Sequence, residues 1–161
     1  MIINDIQLMR VCIGGTFNIL HKGHKTLINK AFQIAGKQGS VFIGITKGEI
    51  SNQKKNVKTL IERKKAIKQY VLEKGYINRA IIKPINNKYG PSTNGVFDAI
   101  VVSAETARTA EEINKILRQN GKKPLRIIQI PFVLADDNLP ISSSRIKKGE
   151  IDTDGRLLRG D

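Results

Sequence analysis

The chain has 161 residues, the size of one domain, and 40% of them are hydrophobic, enough for an ordinary packed core. Twenty-eight Lys and Arg against fourteen Asp and Glu give a net charge of +14, which draws polyanions without saying which. One cysteine, Cys12, excludes an internal disulfide and fits a cytoplasmic protein; no apolar run nears the ~20 residues of a bilayer span, and the N-terminus lacks a secretory-signal pattern.

From residue 10 the chain alternates between short apolar runs and amphipathic stretches. RVCIGGT (10–16) predicts a buried strand ending in two glycines. KGHKTLINKAFQIAGK (22–37) predicts a helix with Leu27, Ile28, Ala31, Phe32 and Ala35 on one face. VFIGIT (41–46) is a second strand, and LIERKKAIKQYVLEKG (60–75) a helix carrying Leu60, Ile67 and Val71 inward and stopping at Gly75. RAIIKPI (79–85) and DAIVVS (98–103) are strands separated by the turn-rich NNKYGPSTNG (86–95). A helix from about Glu105 to Gly121 turns Ala110, Ile113 and Leu117 inward; LRIIQIP (125–131) is a fifth strand and SSSRIKKG (142–149) a short last helix.

Five strands that are apolar throughout, joined largely by helices, predict an α/β, Rossmann-like, doubly wound five-stranded parallel sheet with helices on both faces. The whole of 1–161 reads as a single domain, with residues 1–8 and the tail after 150 as its loosest parts. In such a fold ligands bind beyond the carboxyl ends of the strands, where the order reverses. Gly14 to His24 lie at that end of the first strand and run into the first helix. Glycines let the backbone approach a ligand, and the free amides of a helix start favour an anion, so this junction reads as a phosphate site.

The segment carries neither the G-x-G-x-x-G fingerprint nor a G-x-x-x-x-G-K-[ST] loop, which argues against a dinucleotide redox enzyme or a P-loop ATPase. It reads G-T-F-x-x-x-H-x-G-H instead, and resembles the nucleotidyltransferase superfamily, whose members place T/H-x-G-H at this junction. PISSSRIKKGEI (140–151) is similar to that superfamily's I-S-S-[ST]-x-I element, where hydroxyls and first-turn amides grip a triphosphate. A longer likeness, in VVSAET, YGPS and PFVLADDNLPISSSRI, is to the archaeal and eukaryotic type of phosphopantetheine adenylyltransferase and runs from residue 10 to about 158.

That resemblance implies transfer of AMP from ATP, used as its Mg²⁺ complex, to 4′-phosphopantetheine in coenzyme A synthesis. It assigns Thr16, with Gly15 and the nearby main chain, to the acceptor phosphate or α-phosphate, and His21 and His24 to the ATP phosphates. Both imidazoles should protonate more easily beside a polyanion. Ser142, Ser143, Ser144 and Arg145 would bind the β- and γ-phosphates, and Lys54 or Lys55 the acceptor phosphate. Phe17 either lies along the nucleotide or is a core aromatic. Ser103, Glu105 and Thr106 either line the adenine and ribose side or start the fourth-strand helix, with Ser103 as its cap. Asn114 and Arg118 match family positions more weakly. The family's G-T-F-D reads G-T-F-N here, so Asn18 keeps a side-chain carbonyl and lacks the charge.

No His, Cys or carboxylate cluster has the spacing of a metal cage, so substrate phosphates and water would supply the ligands of Mg²⁺. Rival readings are transfer to another acceptor (nicotinamide mononucleotide, flavin mononucleotide or glycerol phosphate) and a non-catalytic basic protein binding nucleic acid. Eight aromatic residues, none of them Trp, supply a poor stacking platform for the latter, and oligomeric state is not encoded legibly.

Overall fold

The computed structural model describes residues 8–47 and 57–158. Among these residues five strands form one parallel sheet in the order β3-β2-β1-β4-β5: β1 (Arg10–Gly15), β2 (Ser40–Thr46), β3 (Ala80–Ile85), β4 (Ala99–Val102) and β5 (Arg126–Gln129). The central strand β1 pairs with β2 on one side and β4 on the other, so that Cys12 lies level with both Phe42 and Ile100. The order reverses between these neighbours, as a doubly wound sheet requires.

Alternation along the strands decides which helix covers which face. Val11, Ile13, Val41, Ile43 and Ile45 point into a core shared with α1 (Lys22–Ala35) and α2 (Leu60–Glu73). Cys12, Ile100 and Val102 point the other way, into a core shared with α3 (Ala107–Gln119). Both faces are thus dry, and the strands read as continuous apolar runs for that reason. Between β3 and β4 there is no α-helix; a 3₁₀ turn over Gly90–Asn94 makes the crossing.

Local chemistry sets the helix starts. Thr59 and Glu62 cap α2 reciprocally, Thr59 Oγ1 accepting from the Glu62 amide at 3.2 Å and Glu62 Oε2 from the Thr59 amide at 3.0 Å. The joint from α1 to β2 needs Gly39, where a Cβ would stand 2.1 Å from the Ala35 carbonyl oxygen. Helix α3 begins at Ala107, two residues later than its sequence suggests, because Ser103–Thr106 form a turn closed by Thr106 N–H donating to the Ser103 carbonyl.

The tail expected to be loose after residue 150 is instead packed through residue 158. Ile151 is fully buried with Ala135 and Ile141 beside α4 (Ser143–Lys147). The Thr153 carbonyl accepts from the Lys22 amide at 2.8 Å, which ties this segment to the first residue of α1. Its polar sequence hides one apolar anchor and a set of backbone hydrogen bonds, and periodicity detects neither.

Candidate active site

Beyond the carboxyl ends of β1, β2 and β4 lies a cleft of about 920 Å³, walled by residues far apart in sequence. Its first corner is the turn from β1 to α1. Thr16 is nearly buried; its Oγ1 accepts from Thr46 Oγ1 at 3.2 Å, and its carbonyl from Arg63 Nη1 at 3.0 Å. Phe17 follows with φ +50°, a left-handed conformation that a bulky side chain adopts at a cost of roughly 1–3 kcal/mol. Gly15 makes room for its ring, since a Cβ there would stand 3.3 Å from it. The Phe17 ring belongs to the core, as one sequence reading has it, and also forms part of the cleft wall.

Asn18 is buried and its Oδ1 accepts from the Lys58 amide at 2.8 Å. An aspartate would offer the same acceptor, so what the substitution removes is charge.

The two histidines act as one unit. His21 is the N-cap of α1: its Nδ1 accepts from the Gly23 amide at 3.0 Å, while His24 Nδ1 accepts from the His21 amide at 3.3 Å. Their rings stack at 3.7 Å, and both line the cleft. With each Nδ1 accepting, the neutral rings carry their protons on Nε2 and can donate from there. The protein's own surroundings work against protonation of His21, so easy protonation there depends on the polyanion itself. Burial pushes its pKa down to about 4, against a smaller opposing pull from the negative charge of Glu105.

The second corner is the start of α4. Ser142 caps it, Oγ accepting from the Arg145 amide at 3.2 Å, and Ser142, Ser143 and Ser144 all line the cleft. Arg145 departs from expectation. Its guanidinium pairs with Asp137 and with Glu150 (Nε to Oε2, 2.9 Å) and donates to the Pro140 carbonyl, so it staples the segment before α4 and is no part of the cleft wall. Lys147 and Lys148 line the cleft in its place.

Ser103, Glu105 and Thr106 form a third wall. The cap position of α3 is held by Thr106, not Ser103, and Thr106 Oγ1 accepts from the Ser103 amide at 3.2 Å. Asn114 and Arg118 lie outside the cleft. Asn114 is buried and clamps Leu125, accepting from its amide at 2.7 Å and donating to its carbonyl at 2.9 Å; Arg118 is exposed. Lys54 and Lys55 lie outside the described residues.

Sequence reasoning missed Thr46, Arg63, Lys147 and Lys148. One signal was available: Arg63 stands on the stripe of Leu60, Ile67 and Val71, where a cation would be buried. The two lysines read as an ordinary basic helix end.

Among the described residues lining the cleft, Glu105 is the one carboxylate, against Lys88, Lys147 and Lys148. No group of three or more His, Cys, Asp or Glu among the described residues is placed to hold a metal ion. The cleft offers hydroxyls, imidazole N–H groups, helix-start amides and ammonium groups, which suits it to holding phosphates.

Residues 12–149 match the family described as cytidylyltransferase-like. The phosphopantetheine adenylyltransferase of Methanosarcina mazei is 43% identical over 151 residues, covering 93% of this chain and 97% of that protein. The enzyme of the same name from Methanosarcina barkeri is 44% identical over 93% of each chain. A solved structure of a protein of unknown function from Archaeoglobus fulgidus superposes with a TM-score of 0.69 at 34% identity, covering 76% of this chain and 89% of that one.

Proposed function

Because the chain belongs to the cytidylyltransferase-like nucleotidyltransferases, and among them to the phosphopantetheine adenylyltransferases, we propose that it moves AMP from ATP to 4′-phosphopantetheine, giving dephospho-coenzyme A and pyrophosphate. The observation that carries this reading is the meeting of the Thr16–His24 corner and the Ser142–Ser144 corner in one cleft. ATP enters as its Mg²⁺ complex, with the metal held by phosphates and water. A cytoplasmic location goes with the reading, supported by one buried, unpaired thiol.

The chemistry asks the protein for no nucleophile. An oxygen of the acceptor phosphate forms a bond to the α-phosphorus, the bond from that phosphorus to the bridging oxygen breaks, and pyrophosphate leaves with the electron pair. What the chain supplies is position and charge. The Thr16 turn holds the meeting point of the two phosphates. His24 and His21 donate Nε2–H to oxygens whose charge grows. Ser142, Ser143, Ser144, Lys147 and Lys148 hold the departing pyrophosphate, and Ser103, Glu105 and Thr106 border the nucleoside.

Pyrophosphate release from ATP and phosphopantetheine tests the reading directly. His24→Ala should lower kcat by about 10²–10³, the usual cost of losing one donor to a developing charge, with the fold intact by circular dichroism. A wild-type rate no greater than that of the variant overturns the assignment. Release with nicotinamide mononucleotide, flavin mononucleotide or glycerol phosphate instead would move it to another acceptor.

A further inference from the structure

Arg63 is the most deeply buried cation of α2, only 3% exposed, and it lies behind the phosphate corner rather than in it. Its fork spans three carbonyls: Nε donates to Lys58 at 2.8 Å, and Nη1 donates to Thr16 at 3.0 Å and to Thr46 at 2.8 Å. Thr46 and Lys58 are the two ends of the connection from β2 to α2, and Thr16 is the turn that leaves β1. One side chain therefore fixes three backbone segments against each other.

All three partners are neutral. No carboxylate among the described residues pairs with this guanidinium, in contrast to Arg145, which holds two. A buried ion without a counter-ion is costly, and arginine cannot escape the cost by losing its proton. Carbonyl dipoles solvate the cation and leave its net charge in place. Burial alone pulls the Arg63 pKa downward, consistent with a cation held without a counter-charge. If bracing were its whole purpose, a neutral donor would serve without that cost.

We propose that Arg63 is a positioning residue for adenylyl transfer, whose buried charge is completed by substrate phosphate bound at Thr16 and whose fork sets the shape of that corner. The proposal rests on the phosphate-transfer reading of the cleft. It makes the unliganded corner electrostatically incomplete, so that an anion arriving at Thr16 gains from a charge it never touches.

The test uses the full chain with Arg63→Lys and Arg63→Met, inorganic tripolyphosphate as an acceptor-independent probe, and steady-state kinetics with ATP and phosphopantetheine. Tripolyphosphate should raise the wild-type Tm. That rise should largely survive in Arg63→Lys, which keeps the charge, and shrink by at least half in Arg63→Met. In kinetics, kcat/KM for phosphopantetheine should fall about tenfold in Arg63→Lys and about 100-fold in Arg63→Met. A folded Arg63→Met with the full wild-type rise and unchanged kcat/KM overturns the proposal. If Arg63→Met does not fold, Arg63→Gln replaces it under the same criterion, and equal responses of Arg63→Lys and Arg63→Gln to tripolyphosphate also overturn it. Failure of the adenylyltransferase reading shows separately, as absence of pyrophosphate release by the wild type.

Discussion

His21 spends its Nδ1 on the Gly23 amide and its face on His24, and its burial holds it neutral with a pKa of about 4 against an ordinary value of 6.5. The unfolded chain takes up the proton near pH 6.5, the folded one only near 4. The contribution of His21 to stability is therefore level above pH 6.5 and falls as the pH drops toward 4, by up to about 3 kcal/mol. Urea midpoints from pH 7 to 4 should show this slope, and His21→Asn, which keeps a capping oxygen and removes the titration, should flatten it. Two residues of the late motif should separate in the same spirit. Arg145→Ala should lower Tm by several degrees and leave KM for ATP nearly unchanged, since its charge is taken by Asp137 and Glu150. Lys148→Ala should raise KM for ATP several-fold at unchanged Tm, because it lines the cleft. The sequence marks the serines and histidines because few residue types do their work. It does not mark which neighbouring cation faces inward, since that depends on where Asp137 and Glu150 come to rest.

At the scale of elements, α1 was readable because its five buried residues recur at helical spacing and its capping histidines stand at one end. Helix α3 was readable along its apolar face, and misread at its start, because Ser103 and Thr106 are both good caps and the choice between them is made by the turn that leaves β4. Asn114 carried only a weak family match and no sign of its structural role: a polar residue inside a helix looks solvated until its partner segment is in place. It joins α3 to the segment entering β5 through two hydrogen bonds with Leu125. Asn114→Ala leaves a buried amide and a buried carbonyl unpaired and should cost about 2–3 kcal/mol in thermal or urea unfolding, with kcat per folded molecule kept.

For the molecule as a whole, the chain carries a net charge of +14 and its proposed substrates are both anions. Encounter should be steered, so kcat/KM for ATP should fall by roughly tenfold between 20 and 200 mM salt while kcat moves little. The number and direction of the strands could be read from their apolar runs. The return of β4 to the side of β1, which brings residue 103 beside residue 16, could only be inferred from the general behaviour of such sheets. The packing of residues 151–158 could not, because a single isoleucine and a handful of main-chain bonds leave no periodic trace. That last segment has a bearing on biosynthesis. The Thr153 carbonyl reaches back to the amide of Lys22, and the serines that line the same cleft as His24 come from residues 142–144, so the two halves of the cleft leave the ribosome on the order of ten seconds apart. During that interval the nascent protein displays its histidine turn without the wall that completes the cleft, and turnover must wait until residues 142–153 have been made.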